Sequence, residues 1–99
     1  MYTATMHYRF KPGYIEEACA LWESEVLTRA KGRPGMVRMQ FLVDRQKSEA
    51  LAVGTWKRPE DAQAFMQTGV FKELMIRIQD MLADEPSPHI WDLRLYVQS

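Results

Sequence analysis

With 99 residues, 46% of them apolar, the chain is long enough for one domain spanning residues 1–99 and too short for a second. Thirteen basic residues balance thirteen acidic ones, which excludes the basic stripe that nucleic acid requires. No apolar run is long enough to cross a bilayer or to serve as a secretory leader, so the expectation is a cytoplasmic chain with no nucleic acid or membrane partner.

Residues 3–10 alternate apolar and polar side chains and predict a first strand, stopped by Lys11-Pro12-Gly13. Residues 13–30 follow helical spacing, with Ile15, Cys19, Trp22 and Val26 as the expected buried stripe and Glu25 and Arg29 as an i,i+4 ion pair. On that stripe the lone Cys19 is expected to be a buried structural thiol, and being alone it excludes an internal disulfide. Gly32-Arg33-Pro34-Gly35 ends the helix. Residues 36–44 and 49–57 alternate again and predict a strand hairpin. Pro59 suits the first turn of a second helix, where Glu60 and Asp61 favour the dipole. Its expected stripe is Phe65, Phe71, Leu74, Ile78 and Leu82, interrupted at Thr68-Gly69 by a kink. Glu85-Pro86-Ser87-Pro88 leads stiffly into a last strand over residues 89–97.

The order is βαββαβ, the ferredoxin-like α+β arrangement: a four-stranded antiparallel sheet with two helices on one face. Alternation sorts the strand side chains. The helix-covered face is expected to hold Ala4, Met6, Tyr8 and Phe10, then Val37, Met39, Phe41 and Val43, then Leu51, Val53 and Thr55, then Trp91, Leu93, Leu95 and Val97. The bare face then carries Thr5, His7, Arg9, Arg38, Gln40, Leu42, Ala52, Gly54, Trp56, Asp92, Arg94 and Tyr96. A bare sheet holding Leu42, Trp56 and Tyr96 calls for a partner.

Three stretches resemble the antibiotic biosynthesis monooxygenase (ABM) domain of the dimeric α+β barrel superfamily. They are Arg9-Phe10-Lys11-Pro12-Gly13, Pro34-Gly35-Met36, and Trp56 with Arg58-Pro59-Glu60-Asp61-Ala62 and Gly69-Val70-Phe71-Lys72. The resemblance covers nearly the whole chain and implies a homodimer paired through the sheet faces. Members include cofactor-free monooxygenases of phenols and anthrones, haem-degrading enzymes, isomerases and proteins without known activity. Two departures narrow the choice. The helix histidine of many ABM domains is replaced around Met66, Gly69 and Phe71, and where haem-degrading members carry their Asn, aromatic and iron-binding His this chain has approximately Tyr8, Phe65 and Arg77. Haem degradation is therefore disfavoured and no cofactor is expected.

The residues themselves offer little acid–base chemistry. His7 and His89 have no partners at metal-ligand spacing, so no metal site is expected, and there is no nucleophile triad, phosphate loop or CxxC pair. His7 could act as a base, although its parity turns it to the bare face, and His89 reads as a solvated edge residue. Asp92, Arg94, Arg9 and Arg38 read as paired charges on the bare face. Tyr8, Phe10, Trp22, Met39, Phe41, Phe65, Met66, Phe71 and Trp91 converge between helices and sheet, either as ordinary core or as the wall of a site for a flat apolar ligand with its mouth near Thr68-Gly69. Read with the resemblance, Tyr8 and His7 are the catalytic candidates, and Trp22, Phe41, Trp56, Phe65, Met66 and Trp91 the substrate-binding ones. The expected function is cofactor-independent oxygenation of a small aromatic or polyketide-like substrate. The alternative is a non-catalytic dimeric binding or accessory module on the same fold.

Overall fold

The computed structural model describes residues 1–99. Its strands are β1 (Tyr2–Arg9), β2 (Met36–Asp44), β3 (Glu49–Trp56) and β4 (Ser87–Asp92), in one antiparallel sheet ordered β2-β3-β1-β4. A first helical run joins β1 to β2: α1 (Ile15–Leu21), a π-helical segment (Trp22–Leu27) and α2 (Thr28–Ala30). A second joins β3 to β4: α3 (Pro59–Met66), α4 (Gly69–Ile78) and a 3₁₀ turn (Gln79–Met81). The ferredoxin-like order holds.

The first helical run buries Ala18, Trp22, Val26 and Ala30, a strict four-residue repeat, instead of the expected Ile15, Cys19, Trp22 and Val26. A four-residue spacing drifts around a helix of 3.6 residues per turn, and the wider π turn takes up that drift. Cys19 is consequently only half-buried; burial and the neighbouring Glu16 carboxylate both raise its thiol pKa. Glu25 carries the expected pair with Arg29 (3.5 Å) and a second with Arg77 (3.2 Å).

The second run breaks where Thr68-Gly69 predicted. Thr68 caps α4: its hydroxyl accepts from the Phe71 N–H at 3.4 Å and donates to the Phe65 carbonyl at 2.7 Å. Ala62, Phe65, Leu74, Ile78 and Met81 are buried, and Phe71 and Leu82 are half-buried.

Three strand assignments change. In β3 the covered side chains are Ala50, Ala52, Gly54 and Trp56, and Leu51, Val53 and Thr55 turn to the open face. The rings of Trp22, Trp56 and Phe65 fill the space under the helices, so the sheet beneath them must be small. In β2 a register shift between Met36 and Arg38 turns Val37 outward, leaving it 48% exposed. In β4 the register sets Trp91 beside Thr3 and His89 beside Thr5, on the open face, so Trp91 is not under the helices. Asp92 pairs with Tyr2 and leaves the arginines. Arg9 pairs instead with Glu49 (3.8 Å) and Asp84 (3.1 Å), and Arg38 donates to the Tyr96 hydroxyl at 2.7 Å. The last strand also ends early. Beyond Asp92 the Leu93 N–H still donates to the Met1 carbonyl at 3.0 Å, but the chain then leaves the sheet, and Leu95 and Val97 are exposed rather than buried.

Candidate functional site: an apolar cavity between sheet and helices

The small residues of the covered face leave a gap under the helices. Its floor is Ala4, Met6, Ala52 and Gly54, with Met39 alongside; Trp22 from the π segment and Ala62, Phe65 and Met66 from α3 form the roof, and Trp56 and Phe71 close it. Gly54 is required here, since a Cβ would come within 2.9 Å of the Trp56 indole nitrogen. The void is about 40 Å³, room for a water or two but not for an aromatic ring. Three of its walls, Met6, Met39 and Met66, are flexible side chains that can yield to a larger occupant.

The start of α3 is fixed from outside. The Asp61 carboxylate takes a two-pronged contact from Arg58 (3.1 and 3.3 Å) and packs directly on Gly35, which has φ +78°; a Cβ there would collide with it. Beside this latch, the Arg33 guanidinium lies 5.7 Å from the Phe65 ring centre.

None of the thirteen residues around the cavity ionises. The site can therefore exclude water and donate hydrogen bonds, but it supplies no general base. Trp22 Nε1 is buried without a hydrogen bond, and an unmet buried donor costs about 1–3 kcal/mol. The nitrogen leans toward the Tyr8 hydroxyl, close enough to favour the phenolate slightly but outside hydrogen-bond geometry.

Of the candidates, Trp22, Trp56, Phe65 and Met66 line the cavity together. Trp56 does so because β3 has the opposite phase to the one its sequence suggested. Phe41 lies one layer back, stacked on Trp22 at 4.9 Å and 22°. Tyr8 also stands behind Trp22 (6.2 Å, 68°), is fully buried, and donates to the Met75 sulfur at 3.7 Å. Burial pushes its pKa well above the ordinary phenol value, so at neutral pH it is a donor and not a base. His7 is on the open face, 3.5 Å from Glu49, away from the cavity. Trp91 is there too, donating to the Thr5 hydroxyl at 2.9 Å and packed on His89 at 4.1 Å. Sequence reasoning missed the floor, Ala52 and Gly54, and the roof residue Ala62. The period-two run Ala50, Ala52, Gly54 beside so many large rings was the available signal.

The solved structures this chain resembles carry the same sheet and helices. One, an antibiotic biosynthesis monooxygenase, has a TM-score of 0.82 at 16% identity, covering 96% of this chain and 100% of that one. A protein from Nitrosomonas europaea assigned as such a monooxygenase gives 0.85 at 18% identity, covering 97% and 100%. This chain has the antibiotic biosynthesis monooxygenase fold. A variant of SnoaB, a cofactor-independent oxygenase from Streptomyces nogalater, matches with a TM-score of 0.80 at 14% identity over 99% and 97% of the two chains. No family model and no curated protein matches the sequence.

Proposed function

We propose that this ABM-fold chain is a cofactor-independent monooxygenase, a homodimer paired through the open sheet faces, whose cavity takes a small flat phenol or enol of polyketide type. One observation carries the reading: an apolar, methionine-walled cavity with the Trp56 indole N–H over its floor and no ionisable group in its lining. Such a site suits a substrate acidic enough to ionise without a strong base. The Trp56 N–H, which lies over Gly54 of the floor, is the donor available to its oxyanion. The anion gives one electron to dioxygen, and the substrate radical and superoxide combine to form a C–O bond. Loss of water from the hydroperoxide then converts a ring CH₂ to a carbonyl, with one oxygen atom in the product and the other in water. The protein binds, orients and keeps bulk water out.

The test is oxygen uptake with an anthrone or naphthol panel, without flavin, metal or nicotinamide. Uptake that falls at least tenfold in Trp56→Phe, with the fold intact by circular dichroism, is the expected result. The absence of any base in the wall favours a second reading, a binding module that holds the same ligands without turnover. Saturable ligand binding with no oxygen uptake across the panel would establish it in place of the first.

A further inference from the structure

Just outside the cavity, between the end of α3 and the start of β4, lies an open groove of about 460 Å³ lined by Gln63, Met66, Gln67, Pro88, His89 and Ile90. Met66 is the one residue that belongs to both linings. It is the last residue of α3, followed by the break at Thr68, so only one side of it is held by its own helix. Its side chain is half-buried and unbranched, with several rotamers open to it. The void inside is too small for a ring while the groove outside is roomy. A ligand larger than water therefore needs a wall to move, and Met66 is the wall whose movement joins the two spaces.

The groove differs in chemistry from the cavity. Gln63 in α3 and Gln67 at its C-cap stand four residues apart and are bordered by the β4 chain from Pro88 to Ile90, where the His89 ring itself turns to the open face against Trp91. Amides offer both donors and acceptors, with no fixed charge to demand a counter-ion. Resting on the reading of the cavity as a ligand site, we propose that cavity and groove form one elongated binding site partitioned by Met66. Its ligand has a flat apolar end for the cavity and a neutral hydrogen-bonding arm for Gln63 and Gln67. Free protein holds the partition closed, so binding carries the cost of populating the open form.

The sign of one substitution separates a partition from a simple wall contact. Met66→Ala removes the side chain that must move, so a naphthalene probe should associate faster and bind several-fold tighter. A mere wall contact would give weaker binding instead. The probes are 2-naphthol and an N-hydroxyethyl-2-naphthamide, followed by quenching of tryptophan fluorescence in stopped flow and at equilibrium, with circular dichroism as the check on folding. Gln63→Ala/Gln67→Ala should weaken the amide-armed probe by about tenfold, the worth of two modest hydrogen bonds, and leave 2-naphthol unchanged. Weaker binding in Met66→Ala, or equal losses for both probes in the double variant, overturns the partitioned site while the cavity reading stands. No binding of either probe by any variant, Met66→Ala included, overturns both.

Discussion

On its covered side β3 presents Ala50, Ala52 and Gly54, while on its open side the same strand presents Leu51, Val53 and Thr55. Hydrophobicity alone would place them the other way round. Under the helices, volume decides: four rings, Tyr8, Trp22, Phe41 and Phe65, contact one another or their neighbours within about 6 Å, and they leave space only for a small floor. On the open face no helix presses on the sheet and only the tail beyond β4 reaches over it, its Tyr96 hydroxyl accepting from Arg38 of β2, so larger side chains stand beside charges such as Arg9 and Glu49. The covered face is limited by space and the open face by solvent or a partner.

That contrast can be tested at single positions. Leu74, 1% exposed under the sheet, should cost about 2–5 kcal/mol as Leu74→Ala in urea unfolding, since it leaves a cavity in a packed region. Leu42, 49% exposed on the open face, should behave differently: Leu42→Asp keeps the subunit folded but weakens the proposed dimer by about 2 kcal/mol, read by light scattering over a dilution series. A wild-type monomer at micromolar concentration would remove the argument for sheet pairing.

Filling the floor gives the next effect. Ala52→Leu should destabilise by about 1–3 kcal/mol through overpacking and abolish probe binding, although it makes the strand more hydrophobic. Leu51→Ala, its neighbour on the open side, should leave probe binding intact.

The smallest effect appears only in alkali. Tyr8 has its folded-state pKa raised by burial, so below the ordinary phenol value of 10.0 both folded and unfolded chains keep the proton and stability is unaffected. Above that pH the unfolded phenol ionises while the folded one does not, and stability falls by up to about 1.4 kcal/mol per pH unit. Tyr8→Phe should flatten that slope in urea unfolding between about pH 9 and 11. An unchanged slope would place the titration elsewhere.

Element order, the break at Thr68 and the aromatic interior were legible in the sequence because each rests on local chemistry: alternation, capping, glycine and proline. Trp22 and Phe65 could be named from helical spacing, and Met66 as an adaptable apolar side chain among the rings. Trp56 could be named but not oriented, and Trp91 was oriented wrongly. The phase of a strand is a property of its pairing, and a shift of one residue turns every side chain over. In β3 that phase was settled by the bulk of rings arriving from α3 and the π segment, none of them neighbours in sequence. In β4 the strand ends at Asp92 although Leu93, Leu95 and Val97 continue the alternation, since after Leu93 the chain leaves β1 and carries Tyr96 to Arg38 of β2. The cavity was beyond sequence reasoning for the same cause. An empty space is a difference between the volumes of elements far apart in the chain, and only their packing fixes its size, its walls and the side chain that divides it from the groove.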